Sequence, residues 1–396
     1  MRVGIDASNI RGGGGVTHLI ELLRAAKLDE LGMDRVIVWG NSATVSRIEP
    51  RPWLDLSHQR ELDGRLHSRV SWQTARLTHL ARGNVDVLLV PGGLYGGDFS
   101  PVVTMSRNLL PFEVQERRRY GWSYMGARLA LLERLQARTL RRSNGVIFLT
   151  EYHKNAVLKR IGELRAPIAV INHGVSEKFF CAPRPQRPLT AYSDERPYRV
   201  VYTSIVDVYK HQWNVVEAVG KLRLKGYPIE LRLIGNAYPP ALRKLDLAIE
   251  RVDPQRKFIE YDGGLPNAQL PGCYVAADAF VFASSCETFG QALTEAMASG
   301  LPIACSKQSA LPEVLGPAGS YFDPLDIEDI CRCLAQLMNC TERRTELAGA
   351  AYERACALSW EKCARQTFGF LELAIATGES RYGTTRPQRS SVWRSE

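Results

Sequence analysis

The sequence lacks long apolar runs and any signal-peptide pattern at its start. No stretch reaches the about 18 uncharged apolar residues that indicate a membrane-spanning helix. The first residues have neither the basic start nor the apolar stretch of a secretory leader. We therefore expect a cytoplasmic protein whose chain does not cross a membrane.

Metal-binding patterns are also missing. The nine cysteines are odd in number, and no second pair or nearby histidine joins Cys331 and Cys333 to complete a zinc site. No Asp-x-Asp motif occurs, so the sequence offers no evident ligands for a divalent ion beside a diphosphate. We expect reduced thiols, no bound metal and no cofactor.

The net charge of +9 favours an anionic partner. No nucleic-acid-binding motif is present, and no cluster of basic and aromatic residues resembles an RNA-binding sheet, which argues against nucleic acid. Phosphorylated small molecules and an anionic bilayer remain, and charge alone does not separate them.

The 396 residues suit two α/β domains. In each half, short apolar runs typical of buried parallel strands alternate with helical patterns, which predicts a doubly wound sheet. We predict an N-terminal domain over residues 1–180, a proline-rich linker over 181–198 and a second domain over 199–358. We expect a C-terminal helix over 359–376 to pack back across the hinge, and a disordered basic tail over 377–396.

Two loops that follow predicted strands are candidate ligand sites. Gly12 to Gly15 precede a helix expected from Val16, and glycines let a backbone approach a phosphate or sugar closely. Lys210 lies beyond the strand at Arg199 to Thr203, where parallel sheets bind ligands and where a lysine suits a diphosphate. A mobile glycine turn and a solvated loop lysine are the alternatives.

The segment from Ser284 to Pro302 carries the strongest signal. It leaves a predicted strand and enters a helix whose first amides, at Phe289 to Gln291, would point at an anion. Glu295, about one turn inside the helix, is placed to accept hydrogen bonds from ribose hydroxyls, and Glu287 to face the other end of the same ligand. The helix dipole alone also favours acidic residues near a helix start.

The two glutamates, with Phe-Gly between them and Ala-Met-Ala-Ser-Gly-Leu-Pro after them, resemble the signature of retaining glycosyltransferases of family 4, which have the two-lobed GT-B fold. Besides the glycine loop and the Lys210 segment, further matches are Phe148–Glu151, Asn172–Val175, Leu233–Gly235 and Ala277–Asp278. Residues 105–113 and 204–211 look most like enzymes of polysaccharide or O-antigen assembly.

The resemblance implies a role for each candidate residue. Donor phosphates would meet Lys210, the backbone amides of Phe289, Gly290 and Gln291, and the glycines Gly13 and Gly14 from the opposite lobe, while Glu295 would bind the ribose and Glu287 the transferred sugar. Many relatives have an arginine where this chain has Ile205, and a histidine where it reads Ser106-Arg107-Asn108. We expect Arg107 or Asn108 to replace that histidine, and we place base and sugar specificity near Asn236 and Tyr261.

The resemblance implies retaining, metal-independent transfer of a hexose from a nucleotide sugar to a saccharide or polyprenyl-linked acceptor in polysaccharide or O-antigen assembly. GDP-mannose is the first donor expected, and UDP-hexoses follow closely. A GT-B isomerase of nucleotide sugars and a catalytically silent nucleotide-sugar-binding scaffold are the alternatives.

Between Glu113 and Arg142 the chain has eight arginines and, within the same stretch, Tyr120, Trp122, Tyr124 and Met125. A basic helical surface with aromatic anchors suits anionic lipid, where a polyprenyl-linked acceptor would lie. A solvated helix with one core face explains the pattern equally well. We therefore hold peripheral attachment to the inner face of the cell membrane as an open expectation.

Overall fold

Two parallel β-sheets, formed one after the other along the chain, are the framework of the molecule. The computed structural model describes the backbone of residues 1–382 and the side chains of residues 1–28 and 30–376. The strands of the first sheet are β1 (Arg2–Asp6), β2 (Arg35–Gly40), β3 (Leu54–His58), β4 (Val87–Val90), β5 (Val102–Met105), β6 (Gly145–Phe148) and β7 (Ile168–Val170). Those of the second are β8 (Tyr198–Thr203), β9 (Ile229–Ile234), β10 (Ile259–Tyr261), β11 (Ala279–Phe282), β12 (Ile303–Ser306) and β13 (Ser320–Phe322).

Helices separate these strands and cover the sheets. In the first half they are α1 (Gly13–Ala25), α2 (Ser42–Val45), α3 (Arg60–Asp63), α4 (Leu66–Ser71), α5 (Leu77–Ala81), α6 (Val114–Arg118), α7 (Tyr124–Arg142) and α8 (Glu151–Ile161). In the second half they are α9 (Gln212–Leu224), α10 (Pro239–Val252), α11 (Leu270–Ala276), α12 (Gln291–Ala298), α13 (Leu311–Leu315), α14 (Ile327–Asn339), α15 (Thr341–Cys356) and α16 (Trp360–Tyr382). Within the described residues, every helix is too short or too polar to cross a bilayer.

The strand order in each sheet contains one point where the winding direction reverses. The first sheet runs β3-β2-β1-β4-β5-β6-β7 and the second β10-β9-β8-β11-β12-β13. In register, Val3 of β1 lies opposite both Val36 and Val87. The reversals fall between β1 and β4 and between β8 and β11, and such points open a crevice at the carboxyl ends of the strands. Two doubly wound domains were predicted, and both are present.

The central strands are apolar over their whole length because helices cover both faces of a parallel sheet. Every residue of β4, β5, β6, β11 and β12 is buried. Five strands had no sequence prediction, namely β3, β5, β7, β10 and β13. Four of these, β3, β7, β10 and β13, lie at the edges of the two sheets, and β5 has only four residues. Strands of this kind show little hydrophobic periodicity in the sequence. All nine cysteines are free.

Two sequence expectations about element limits were wrong. The helix predicted from Val16 begins at Gly13, so the glycines form its first turn instead of a loop, and Gly13 has a φ of +59°. The last helix extends to Tyr382, past the predicted end at Ala376. The end was misplaced because a residue pattern alone fixes helix ends poorly. The rest of the predicted disordered tail, 383–396, lies outside the described residues.

The connection between the sheets is held by a buried arginine. Arg344 of α15 is fully buried, and its guanidinium donates to the carbonyls of Leu337, Met338 and Arg187. Its charge also lies 5.6 Å from the centre of the Tyr198 ring. The segment between the sheets is therefore fixed to the second domain, while α16 packs against α1 and β6 of the first.

Candidate active site

The site lies where the two reversal points face each other. In the second domain, the loop after β8 carries Lys210 and the loop after β11 carries Glu287, so adjacent strands bring these residues together. The amino group of Lys210 and the carboxylate of Glu287 form an ion pair, and their side chains are only 7% and 15% exposed. Lys210 Nζ also lies 4.9 Å from the centre of the Tyr209 ring. Lys210 is therefore not the solvated loop lysine of the alternative interpretation.

The backbone around Lys210 is held on both sides. The hydroxyl of Tyr202 donates to its carbonyl, and its own N–H donates to the carbonyl of Asp207 at 3.0 Å. The next residue, His211, has a φ of +52°, which a residue with a side chain rarely adopts. Burial lowers the pKa of His211 to about 3, and its Nε2 lies 2.9 Å from Oγ of Ser285. A neutral histidine thus holds the turn that aims Lys210.

The start of α12 presents backbone amides beside this pair. Gly290 is the residue before the helix and has a φ of +88°, and no described side chain caps this end. Phe289 is buried against His173 of the first half of the chain, with ring centres 5.6 Å apart. The N–H groups near Phe289, Gly290 and Gln291 and the positive end of the helix dipole are therefore available to an anion.

Glu295 lies deeper than the sequence indicated. It is 6% exposed, and the hydroxyl of Tyr274 donates to its carboxylate at 3.0 Å. Burial raises the pKa of Glu295 to about 7. The same hydroxyl of Tyr274 also contacts Thr203, at the end of β8. The carboxylate is therefore near its point of half-protonation at neutral pH.

Asn236 and Tyr261 come together at the next strands of the same sheet edge. The hydroxyl of Tyr261 donates to the carbonyl of Gly235 at 2.9 Å, and the carbonyl of Asn236 accepts from the N–H of Val206 at 2.8 Å. Gly264 lies close beside them, since a Cβ added there would overlap Oδ1 of the exposed Asn236 side chain. Both residues thus border the loop that leads from β8 to Lys210.

The first domain contributes Arg107 and Asn108 from the loop after β5. Nη1 of Arg107 is buried with no hydrogen-bond partner in the described structure, and burial lowers the pKa of Arg107 to about 10. The guanidinium lies beneath Gly15, where an added Cβ would be 2.7 Å from Nη2. Its charge contributes to lowering the pKa of His18 and His173, although burial is the larger cause for both. Asn108 is exposed beside it.

The glycine turn and the start of α12 approach each other across the cleft. An added Cβ at Gly14 would lie 4.0 Å from Oε1 of Gln291. Gly12, Gly13 and Gly14 are exposed, whereas Gly15 is buried. The structure thus brings the predicted glycines of the first domain to the predicted anion site of the second.

Sequence reasoning missed the contacts that join the two domains. The carboxylate of Glu313 accepts from the N–H groups of Glu151 and Tyr152, both at 2.8 Å, and so caps α8 from the other domain. The hydroxyl of Tyr120 donates to Asp207 at 2.8 Å. Partners so far apart along the chain leave no local pattern, and Thr150 already caps α8 locally by accepting from the N–H of His153, so no sequence signal indicated the contact with Glu313.

Comparison with known proteins places this geometry in a class. Residues 191–354 match the sequence family described as glycosyl transferases group 1. O-antigen chain mannosyltransferase B of Escherichia coli is 37% identical over 116 residues, which are 29% of this chain and 30% of that protein. MMP alpha-(1->4)-mannosyltransferase of Mycolicibacterium hassiacum is 29% identical over 183 residues, 45% of this chain and 44% of that protein. The match spans less than half the length of each relative.

Solved structures resemble the whole chain. Sucrose-phosphate synthase from Thermosynechococcus elongatus has a TM-score of 0.75 at 18% identity, over 95% of this chain and 99% of that one. WaaG, a glycosyltransferase involved in lipopolysaccharide biosynthesis, has a TM-score of 0.67 at 16% identity, over 93% and 99%. Anabaena HepE in complex with UDP and glucose has a TM-score of 0.69 at 16% identity, over 94% and 100%.

The chain therefore has the GT-B fold of glycosyltransferases. Its residues 191–354 are a glycosyltransferase group 1 domain, which contains Lys210, both glutamates and the start of α12.

Proposed function

We propose that this protein is a retaining hexosyltransferase that moves a sugar from a nucleoside diphosphate to a saccharide or polyprenyl-linked acceptor in polysaccharide or O-antigen assembly. The observation that supports this most is the buried pair of Lys210 and Glu287 beside the uncapped start of α12. A diphosphate on the α12 amides would attract Lys210, and Glu287 would then be free to face the sugar. Glu295 would accept hydrogen bonds from ribose hydroxyls at the other end of the donor.

The proposed reaction is a front-face displacement. The bond between the anomeric carbon and the phosphate oxygen breaks, and the acceptor oxygen bonds to the same face of the sugar. The proton of the acceptor hydroxyl passes to the leaving phosphate. Lys210 and the α12 amides stabilise the negative charge on the phosphate, and Glu287 stabilises the positive charge that develops on the ring.

Arg107 would supply the positive charge that is missing at Ile205. Its unpaired guanidinium lies under Gly15, and Gly14 next to it approaches Gln291 at the anion site. With Lys210 and Arg107 on opposite sides of the diphosphate, no metal ion is needed to balance its charge. We expect excess EDTA to leave most of the initial rate in place, and recovery only with magnesium or manganese would contradict this.

The donor is proposed as GDP-mannose first and a UDP-hexose second. Two relatives carry mannosyltransferase in their names, whereas HepE was solved with UDP and glucose. Thermal-shift titration with GDP and UDP separates the two, because the bound nucleotide raises the melting temperature. Asn236 and Tyr261 border the loop where the base would contact the protein.

The decisive test is incubation with a panel of radiolabelled nucleotide sugars and a lipid extract. Label transferred to lipid or saccharide, with the anomeric configuration of the donor kept, supports the proposal. An isomerised free donor would indicate the isomerase instead, and binding without turnover would indicate a silent scaffold.

We further propose that the outer face of α7 rests on an anionic membrane. Trp122, just before the helix, is fully exposed, and Tyr124 is 82% exposed. Leu131 and Leu135 are exposed on the same helix, and Arg128, Arg134 and Arg138 are exposed among them. Apolar anchors within a basic stripe fit an anionic lipid surface.

Two arginines that the sequence suggested for this surface are engaged elsewhere. Arg117 pairs with Glu133, and Arg119 pairs with Glu116 at 2.8 Å. The exposed stripe of α7 is therefore the better target for mutation. We expect Trp122→Ala with Tyr124→Ala to abolish flotation with phosphatidylglycerol vesicles, while Leu224→Ala, at an equally exposed leucine of the second domain, leaves it unchanged. Flotation that survives both α7 changes, or that salt does not weaken, would contradict the membrane proposal.

A further inference from the structure

A small cavity lies at the reversal point of the first sheet, opposite the anion site. It has a volume of about 170 Å³ and lies between the loops after β1, β4 and β5. Its polar lining is formed by Asn9, Arg107, Asn108 and Gln136, and its other lining residues are Ile10, three glycines and Pro91. This volume is below the roughly 300 Å³ of pockets that enclose a whole small ligand. It suits one sugar ring better than a complete nucleotide sugar.

Gln136 is the unexplained residue of this cavity. It is 8% exposed, and its Oε1 is buried without a hydrogen-bond partner among the described residues. A buried amide oxygen without a partner costs free energy, so the group is expected to serve a ligand. The residue was not among those that the sequence suggested, because an isolated glutamine on a helix carries no motif.

Gln136 lies on α7 beside the loop after β4. One turn further along α7, Oγ1 of Thr139 accepts from the N–H of Tyr95 at 3.2 Å, in that loop. In the same loop an added Cβ at Gly93 would lie 3.8 Å from Nε2 of Gln136. The side-chain amide is therefore close to the loop that borders the cavity, and its burial separates it from bulk solvent.

The lining indicates the chemistry of the ligand. Amides of Asn9, Asn108 and Gln136 donate and accept hydrogen bonds, which matches ring hydroxyls that do the same. None of the residues that line the cavity in the described structure is acidic, so a cationic ligand has no counter-charge there. The one charge, on Arg107, is assigned to the donor diphosphate.

We propose that this cavity binds the terminal neutral hexose of the acceptor and that Gln136 is a specificity-determining residue for it. The inference rests on the proposed function, because the acceptor is defined only if the protein transfers a sugar. It places the acceptor hydroxyl against the glycine turn, across the cleft from the donor.

A second cavity of about 710 Å³ provides the matched control. It lies between α6, α8 and the loop after β12, and its lining includes Gln115, Glu113 and Glu313. Gln115 is exposed and has no part in the proposed chemistry. A change at Gln115 therefore tests whether the larger cavity, and not the one at Gln136, receives the acceptor.

The test measures binding of methyl hexosides by saturation-transfer NMR to protein saturated with GDP or UDP. We expect Gln136→Met to weaken binding at least tenfold with a melting temperature no lower than that of the wild type, because the change removes a buried oxygen that has no partner among the described residues. Asn108→Ala, at an exposed position, should also weaken binding. Gln115→Met should bind like the wild type. The inference would be overturned if Gln115→Met lost hexoside binding while Gln136→Met kept it. It would also be overturned if the wild-type protein bound no hexoside.

Two further arms separate the sources of the sugar. A 2-fluoro nucleotide sugar that displaces the hexoside would show that the cavity holds the donor sugar, and a methyl hexuronide that binds ten times tighter would show that Arg107 selects an anion. Either result overturns the inference. If the wild type transfers sugar and Gln136→Met transfers it at the same rate, the inference about Gln136 is overturned while the proposed function stands. Hexoside binding that depends on Gln136 in a protein without turnover would support the sugar site and contradict the proposed function.

Discussion

The residues assigned to ligands on the two sides of the cleft differ in their partners. In the second domain, Lys210 is paired with Glu287, and Glu295 accepts from Tyr274. In the first domain, Nη1 of Arg107 and Oε1 of Gln136 are buried without partners in the described part of the chain. A buried charge beside an opposite charge costs less free energy than an unpaired one, whose cost lasts until a ligand arrives. On the proposed function, the donor side of the cleft is paired in advance, and the acceptor side would gain its partners from a substrate.

The largest expected effect comes from breaking the pair in the second domain. Lys210→Met would leave Glu287 buried without a counter-charge and remove the cation from the diphosphate, so we expect kcat/KM to fall about 1,000-fold, or ~4 kcal/mol. Lys307→Met is the control, because Lys307 lies at the edge of the cleft and pairs with Asp323 at 3.4 Å. Equal rates for the two variants, measured with saturating donor, would show that the pair has no part in transfer.

Glu295→Gln tests the buried carboxylate through pH. Burial raises the pKa of Glu295 to about 7 from 4.5, so the folded protein keeps a proton that the unfolded chain loses between these values. The carboxylate therefore lowers the free energy of unfolding as pH rises from about 4.5 to 7. Above pH 7 the full loss is roughly 3 kcal/mol. We expect Glu295→Gln to unfold at higher urea than the wild type at pH 8 and at similar urea at pH 4.

The same variant has a functional consequence and a control. Because a neutral amide binds ribose hydroxyls less tightly than a carboxylate, we expect donor affinity by calorimetry to weaken by about 1.5–3 kcal/mol. Glu353→Gln changes an exposed glutamate of α15 and should alter neither property. If Glu295→Gln is not more stable than the wild type at pH 8, the surroundings do not raise the pKa of the carboxylate.

Glu287 and Glu295 should differ in kinetics. Glu287 is assigned to the ring on which charge develops, so Glu287→Ala should lower kcat about 100-fold, or ~2.7 kcal/mol, with a smaller effect on donor affinity. Initial rates at saturating donor, measured alongside calorimetry, separate these effects. If Glu287→Ala keeps full kcat and Glu295→Ala keeps normal donor affinity, the assigned roles are wrong. Both glutamates would then only interact with the helix dipole.

The smallest effect concerns the unpaired charge of the first domain. Burial lowers the pKa of Arg107 to about 10, so at pH 7 the fold bears the cost of a charge without a partner. We expect Arg107→Gln to stabilise the free protein by about 1 kcal/mol, since part of the gain is offset by lost packing, and to slow transfer at least tenfold. Urea unfolding and initial rates check both, with Arg82→Gln, at an exposed arginine just after α5, as the control. A less stable variant would show that the guanidinium already has a stabilising role.

How much of the site could be predicted depended on how local its signals are. The segment from Glu287 to Glu295 lies within one strand-to-helix turn, so its spacing pointed to this turn as a candidate site, although not to the burial of Glu295. Lys210 was found because it follows a strand, although its partner lies 77 residues further on. Gln136, His211 and Glu313 were missed as site residues, because their contacts join segments with no common pattern.

The sequence by itself determined the class of fold, since buried parallel strands and amphipathic helices repeat with periods that any reader of the chain can find. It also predicted the α12 turn as a candidate ligand site. Only the tertiary structure decided that Glu295 is buried beside Tyr274 and that Arg107 has no counter-charge among the described residues. Burial and pairing depend on which distant segments meet, and these set the pKa of a group and the cost of its charge.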